Sequence, residues 1–225
     1  MNNTDKKLSI TNEKLGVPDG KSGAWEVNSF EVDEERARDF NARMEYEGTP
    51  NRYMVPGKYK RLLVDRQTMM STTENELEDH REFIIVARKS KSVLINGLGL
   101  GVALRLILES DVVEDVTVID DSADVIKLVA PSYAGDKRVN IIHCDALEYP
   151  VPEGKTYGAV WHDIWLKISS TNIELMDKLM DKYKSISSWQ DAWMYDMCIT
   201  LQEEEEETLN IFDAVLGGAL NEYKV

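Results

Sequence analysis

The chain has 225 residues, enough for one sizeable core, and carries 41 acidic against 26 basic side chains for a net charge of −15. So anionic a chain repels phosphate backbones, which disfavours bulk nucleic-acid binding and suits a cationic or neutral small substrate or a basic partner. Two cysteines, Cys144 and Cys198, are too few for a disulfide framework, and three histidines without ligand spacing give no metal expectation.

The opening "MNNTDKKLSI" lacks the apolar core of a signal peptide, and no run of about 18 apolar residues exists, so a cytoplasmic location without membrane insertion is expected. Residues 1–24, polar and containing "GVPDGKSG", are expected to form a disordered tail. Residues 25–89 read as a small N-terminal β/α extension. "WEVNSFEV" (25–32) alternates as a strand, and "DEERARDFNARM" (33–44) opens on acidic residues as a helix. Turns around short strands follow over 48–65; "STTENELEDHREFIIVARK" (71–89) begins on a Ser/Thr cap and continues as a helix leading into the core.

From 90 to 166 the texture becomes strand, helix, strand. "SVLINGLG" is an apolar strand running into glycines, "GVALRLILES" a helix, "VEDVTVIDD" (113–121) a second strand and "SADVIKLVAPSY" (122–133) a second helix. "RVNIIHCDA" (138–146) and "YGAVWHDIW" (157–165) supply the third and fourth strands, the pattern of a parallel α/β sheet with helices on its faces. Beyond 166 no strand is expected. Residues 171–185 and 188–220 both read as helical, so 167–225 forms a helical C-terminal part in which Glu203–Glu207 is a solvated face.

Gly97, Gly99 and Gly101 sit where that first strand turns into a helix, a place where bare backbone lets a ligand approach. The GxGxxG/A fingerprint of dinucleotide sites fails, because Val102 and Leu104 occupy the positions it needs. What remains, GxGxG, suits a ligand without a pyrophosphate. Asp120, about 20 residues on, is placed to accept from ribose hydroxyls. Asp145, beside Ala146, is placed to accept from an adenine amino group, and Asp163 opens into the same crevice. Glycine turns also serve packing, and a lone strand-end aspartate is commonly a helix cap; four successive strand ends in this order favour a nucleoside site.

These segments resemble the class I S-adenosylmethionine-dependent methyltransferase fold, and within it the spermidine-synthase-like branch. "VLINGLGLG", "VEDVTVIDDSADVI", "RVNIIHCDALEY" and "YGAVWHDIW" are similar to its four motifs in order. "DRQTMMSTTENELEDHREF" is loosely similar to the segments that close that branch's pocket, and the stretch 68–193 looks like poorly characterised methyltransferase-like proteins of phages and bacteria. The resemblance implies a Rossmann-like core, S-adenosyl-L-methionine as cofactor, Gly97, Gly99, Gly101, Asp120, Asp145 and Ala146 around it, and His80 near the substrate. The aspartate matching Asp163 faces the reacting amine in aminopropyltransferases. Departures are plain: Asp79 precedes His80 in place of tyrosine, and Ile164, Trp165 and Leu166 follow Asp163 where a second aspartate is usual. The branch's later strands have no counterpart, so the sheet is expected to be shortened after the fourth strand, with self-association covering an open edge.

Asp163 is the expected catalytic group, orienting or deprotonating an acceptor. His162 is expected on the opposite face, against a helix, and Trp161 in the core. Trp165 flanks the site, where its ring attracts a cation. Trp189 and Trp193, four apart, read either as a packing stripe or as a lid with Gln190 as polar guide. Three functions follow: methyltransferase on a small-molecule or protein acceptor, aminopropyltransferase or other consumer of S-adenosylmethionine, and non-catalytic binding protein.

Overall fold

The computed structural model describes residues 8–49 and 52–222. Two sheets build the molecule. The first is antiparallel, in the order β1 (Gly20–Ser22), β2 (Trp25–Val32), β3 (Gly57–Val64), β4 (Gln67–Ser71). Helix α1 (Asn12–Leu15) precedes it and α2 (Glu34–Tyr46), capped by Asp33, joins β2 to β3. β3 and β4 are joined by the two-residue turn Asp65–Arg66, both at positive φ, the geometry whose twist matches a hairpin.

Residues 8–24, expected to be disordered, are ordered and packed; residues 1–7 lie outside the described residues. Leu8, Leu15 and Val17 are buried in the main core, and the Ser22 hydroxyl donates to Asp124 at 2.7 Å. Polar composition suggested a tail; three spaced apolar residues anchor it.

The second sheet is parallel throughout. Its strands are β5 (Ser92–Asn96), β6 (Asp115–Asp120), β7 (Val139–His143), β8 (Ala159–His162) and β9 (Gln190–Ala192), in the order β7-β6-β5-β8-β9. Helices α3 (Glu74–Asp79) and α4 (Arg81–Ala87) lead into it, α5 (Val102–Ile107) and α6 (Ala123–Val129) cross between strands, and α7 (Ile173–Tyr183) and α8 (Tyr195–Glu222) follow β8 and β9. Strand order reverses at β5, with β6 on one side and β8 on the other, which opens a crevice at the carboxyl ends. The expected α/β, Rossmann-like architecture is present.

Three expectations are corrected. The sheet does not stop at its fourth strand: Val160 N donates to Trp189 O at 2.9 Å and Trp193 N to His162 O at 2.8 Å, so β9 pairs along β8 and becomes the edge strand. Residues 188–193 are therefore not helical. A spacing of four puts Trp189 and Trp193 on one face of a strand as well as of a helix, so periodicity could not separate the two. The helix expected over 71–89 is broken at His80, which ends α3 and precedes α4 with φ −99° and ψ 1°.

Trp161 stacks on Phe83 at 5.3 Å between ring centroids, and Trp189 lies against both rings, tying α4, β8 and β9 together. Each such ring pair adds about 0.5–1.5 kcal/mol beyond the area it buries. No helix among the described residues is long and apolar enough to cross a membrane.

Candidate functional site

A cavity of about 530 Å³ opens at the carboxyl ends of β5, β6, β7 and β8, within the usual range for a small-molecule site. The antiparallel sheet closes its outer side with Trp25, Leu62, Met69 and Met70, and α3 contributes Glu76.

The glycine turn meets this cavity in a way the sequence did not foretell. Gly97 and Gly99 are on its wall, but what crowds them is protein. A Cβ on Gly97 would stand 1.9 Å from the Asp163 carbonyl oxygen, and one on Gly99 would stand 2.4 Å from Met70 Sδ. Gly101 is not among the wall residues; a Cβ there would strike the Tyr133 hydroxyl, which donates to Gly101 O at 2.8 Å. All three have positive φ, at +100°, +50° and +75°, so both conformation and close packing require glycine.

Asp120, ending β6, is on the wall. Its Oδ2 accepts from Leu98 N and its Oδ1 from Ser122 N, both at 2.8 Å, which fixes the carboxylate and leaves each oxygen a further lone pair. Burial raises its pKa against the pull of those two amides. Asp145 and Ala146 line the next stretch, beside the apolar side chains of Ile119, Val125 and Leu147. The loop carrying them is held from below: Lys182 Nζ donates to the carbonyls of Ala146, Leu147 and Tyr149 at 2.9, 2.7 and 2.8 Å.

Asp163, one residue past β8, donates its backbone N–H to Asn96 O at 2.8 Å and is joined by Trp165 and Trp193 on the wall. His80 is buried behind it. The imidazole Nε2–H donates to Asp163 Oδ2 at 3.0 Å and Nδ1–H to the Glu76 carbonyl at 2.7 Å. Burial opposes the ring's charge, but the Asp163 hydrogen bond and charge, with help from Glu76, push its pKa up to about 9, so it is an imidazolium at neutral pH. Glu76 is pushed up to about 7 by burial, with His80 pulling down and Asp163 and Asp79 adding to the rise.

Trp189 and Gln190 are not brought to the cavity. Trp189 belongs to the ring stack, and Gln190 sits in the sheet–helix interface, where its amide donates to Met180 O at 2.8 Å and its oxygen faces His162 Nε2 at 3.3 Å. His162 is fully buried; Asn96 Nδ2 donates to its Nδ1 at 2.8 Å, and its ring lies 5.5 Å from that of Tyr183 on α7. Sequence reasoning missed Glu76, Met70 and Lys182. A carboxylate four residues before His80 in one helical stretch was the available signal for Glu76.

Five carboxyl groups line the cavity, on Glu76, Asp120, Asp121, Asp145 and Asp163, and among the described residues no lysine, arginine or histidine does. No group of three or more metal-binding side chains converges on a point among them either.

No known family model and no curated protein matches the chain. Among solved structures, the N-methyltransferase NodS from Bradyrhizobium japonicum WM9 is 13% identical, with a TM-score of 0.41 over 50% of this chain and 62% of that one. The Podospora anserina methyltransferase PaMTH1, solved with SAH bound, is 19% identical, with a TM-score of 0.39 over 50% and 49%. The plantazolicin methyltransferase BpumL, also in complex with SAH, is 20% identical, with a TM-score of 0.37 over 51% and 45%. The matches thus take in about half of this chain and less than two thirds of each of those proteins. At such identity the functional reading has to come from this chain's own residues.

Proposed function

We propose that this chain is an S-adenosylmethionine-dependent methyltransferase whose acceptor is a small amine, cationic at neutral pH. The observation that carries this is the cavity wall, with five carboxyl groups and no basic side chain among the described residues. A sulfonium cofactor and an ammonium acceptor are both cations, and a low-dielectric cleft of one sign concentrates them.

The residues fit the cofactor. Asp120, already oriented by two amides, has lone pairs free for a ribose diol; Asp145 and Ala146 edge an apolar slot for adenine; Gly97 and Gly99 border the same cavity. When bound, the cofactor supplies a methyl group on positively charged sulfur. Asp163, held by the His80 imidazolium, orients the acceptor, and the face of Trp165 borders the same space.

Aminopropyl transfer, the activity of the spermidine-synthase-like branch, is the second reading. It is favoured by one observation: β4 and α3 close the cavity with Met69, Met70 and Glu76, where the resemblance puts that branch's pocket-closing segments. Ile164, Trp165 and Leu166 in place of a second aspartate weigh against it.

A thermal-shift series with S-adenosylmethionine, its decarboxylated form, S-adenosylhomocysteine and NAD tests the reading. S-adenosylmethionine and S-adenosylhomocysteine should raise the melting temperature by roughly 5–10 °C at a hundredfold excess over Kd, and NAD should not. A shift confined to the decarboxylated form would select the second reading. No shift with any of the three sulfur nucleosides would end both.

A further inference from the structure

Three of the cavity carboxylates already have polar partners. Asp120 caps two backbone amides, Asp145 accepts from Leu147 N in its own turn, and Asp163 is paired with the imidazolium of His80. Glu76 differs. Among the described residues it forms no ion pair, though it is half-buried on the wall of a cavity, with the Ser71 backbone on β4 helping to hold its pKa down. The charged groups facing it are His80 at the break between α3 and α4, Asp79 at the end of α3, and Asp163 beyond β8; Asp79 is itself paired with Arg52 Nη2 at 2.8 Å. A single imidazole ring spaces the two segments, bonded to the Glu76 backbone on one side and to Asp163 on the other.

Resting on the amine-acceptor reading, we propose that Glu76 receives the acceptor's ammonium group: its carboxylate pairs with the charge and then takes the proton that the nitrogen must lose to become a nucleophile. In that step an N–H bond breaks, its electron pair stays on nitrogen, and an O–H bond forms on Glu76. The lone pair then bonds to the methyl carbon while the carbon–sulfur bond breaks, leaving its pair on sulfur. Glu76 afterwards returns its proton to water. Asp163, already holding a cation, keeps the orienting role. A carboxyl whose pKa burial has moved to about 7 is poised to accept a proton at neutral pH, which an ordinary exposed glutamate is not.

Calorimetry on the full chain tests this without requiring turnover. The protein is loaded with S-adenosylhomocysteine and titrated with putrescine, n-butylamine and, as a neutral control, n-butanol. Titrations in phosphate and in Tris at pH 7 report protons released from the difference in enthalpy. The amines should bind, the alcohol should not, and amine binding should release about half a proton from Glu76 at pH 7, falling towards zero by pH 8.5. Glu76→Gln should weaken amine binding at least about tenfold and remove that release. Glu76→Asp should restore the release at lower affinity. S-adenosylhomocysteine should bind all three proteins alike.

Unchanged amine affinity and proton release in Glu76→Gln would overturn the assignment while leaving the cofactor reading intact. Absence of heat with either amine in the loaded wild type would overturn it together with the amine acceptor. Failure to bind S-adenosylhomocysteine at all would remove the cofactor reading first, and the inference with it.

Discussion

His80 and His162 are both buried, at 2% and 0% exposure, yet they titrate in opposite senses because their nitrogens face different groups. His80 faces a carboxylate and a carbonyl, and its folded pKa of about 9 lies above the ordinary 6.5. Its stabilisation is therefore complete below pH 6.5 and lost as pH rises through 9. His162 faces two side-chain amides; burial, with Lys182 adding to it and Gln190 opposing, brings its pKa down to about 4. Its neutral form supports the fold above pH 6.5, and that support is lost as pH falls through 4. Glu76, raised from 4.5 to about 7, adds a loss across that interval as pH rises. His80→Asn should lower stability at pH 6 by about 3 kcal/mol, leaving Asp163 without its cation, and should flatten the decline between pH 6.5 and 9. His162→Gln should flatten only the acid limb, between 6.5 and 4. Thermal melts at pH 4.5, 6, 8 and 9.5 check both. Mutant curves parallel to wild type at every pH would show that neither ring carries the linkage.

The turn from β5 into α5 shows how an element can be legible while its cause is not. Apolar strand, alternating glycines and apolar helix are local features, and they predict the strand–turn–helix without help. The reason for the glycines is remote: the Asp163 carbonyl, Met70 and Tyr133 are brought in by β8, β4 and the turn after α6. Gly97→Ala should cost more than about 3 kcal/mol, because its Cβ meets rigid backbone at 1.9 Å as well as a φ of +100°. Gly99→Ala, whose Cβ meets a flexible thioether, should cost about 1–2 kcal/mol. Urea unfolding of the two variants should reproduce that order; equal costs would mean that β8 gives way at Asp163. β9 escaped prediction for a different reason. It is three residues long, carries glutamine and aspartate, and draws its strand geometry from pairing to β8, a tertiary contact that outweighs propensity.

At the scale of the molecule, the candidate site joins segments that sequence order keeps apart: Glu76 and His80 before the parallel sheet, Asp120 and Asp145 within it, Asp163 at its fourth strand. The strand-end aspartates could be read from their positions alone. Glu76 could not, since its surroundings depend on how the antiparallel sheet folds over the cleft. The net charge of −15 adds a long-range field to these local carboxylates, and the two can be separated by salt. A field that acts through solvent is screened over about 10 Å at 0.1 M ionic strength, whereas a buried pair is screened much less. Putrescine, with two charges, should therefore lose affinity for the S-adenosylhomocysteine-loaded protein about twice as steeply as n-butylamine on a plot of log Kd against log salt from 20 to 500 mM. S-adenosylhomocysteine, a net-neutral zwitterion, should show almost no slope. The residual affinity of n-butylamine at 500 mM measures the local contact, and Glu76→Gln should remove that residue while leaving the slope unchanged. A slope that vanished in Glu76→Gln would place the whole electrostatic attraction at a single carboxyl group, and the acidic surface would then have no part in drawing the acceptor in.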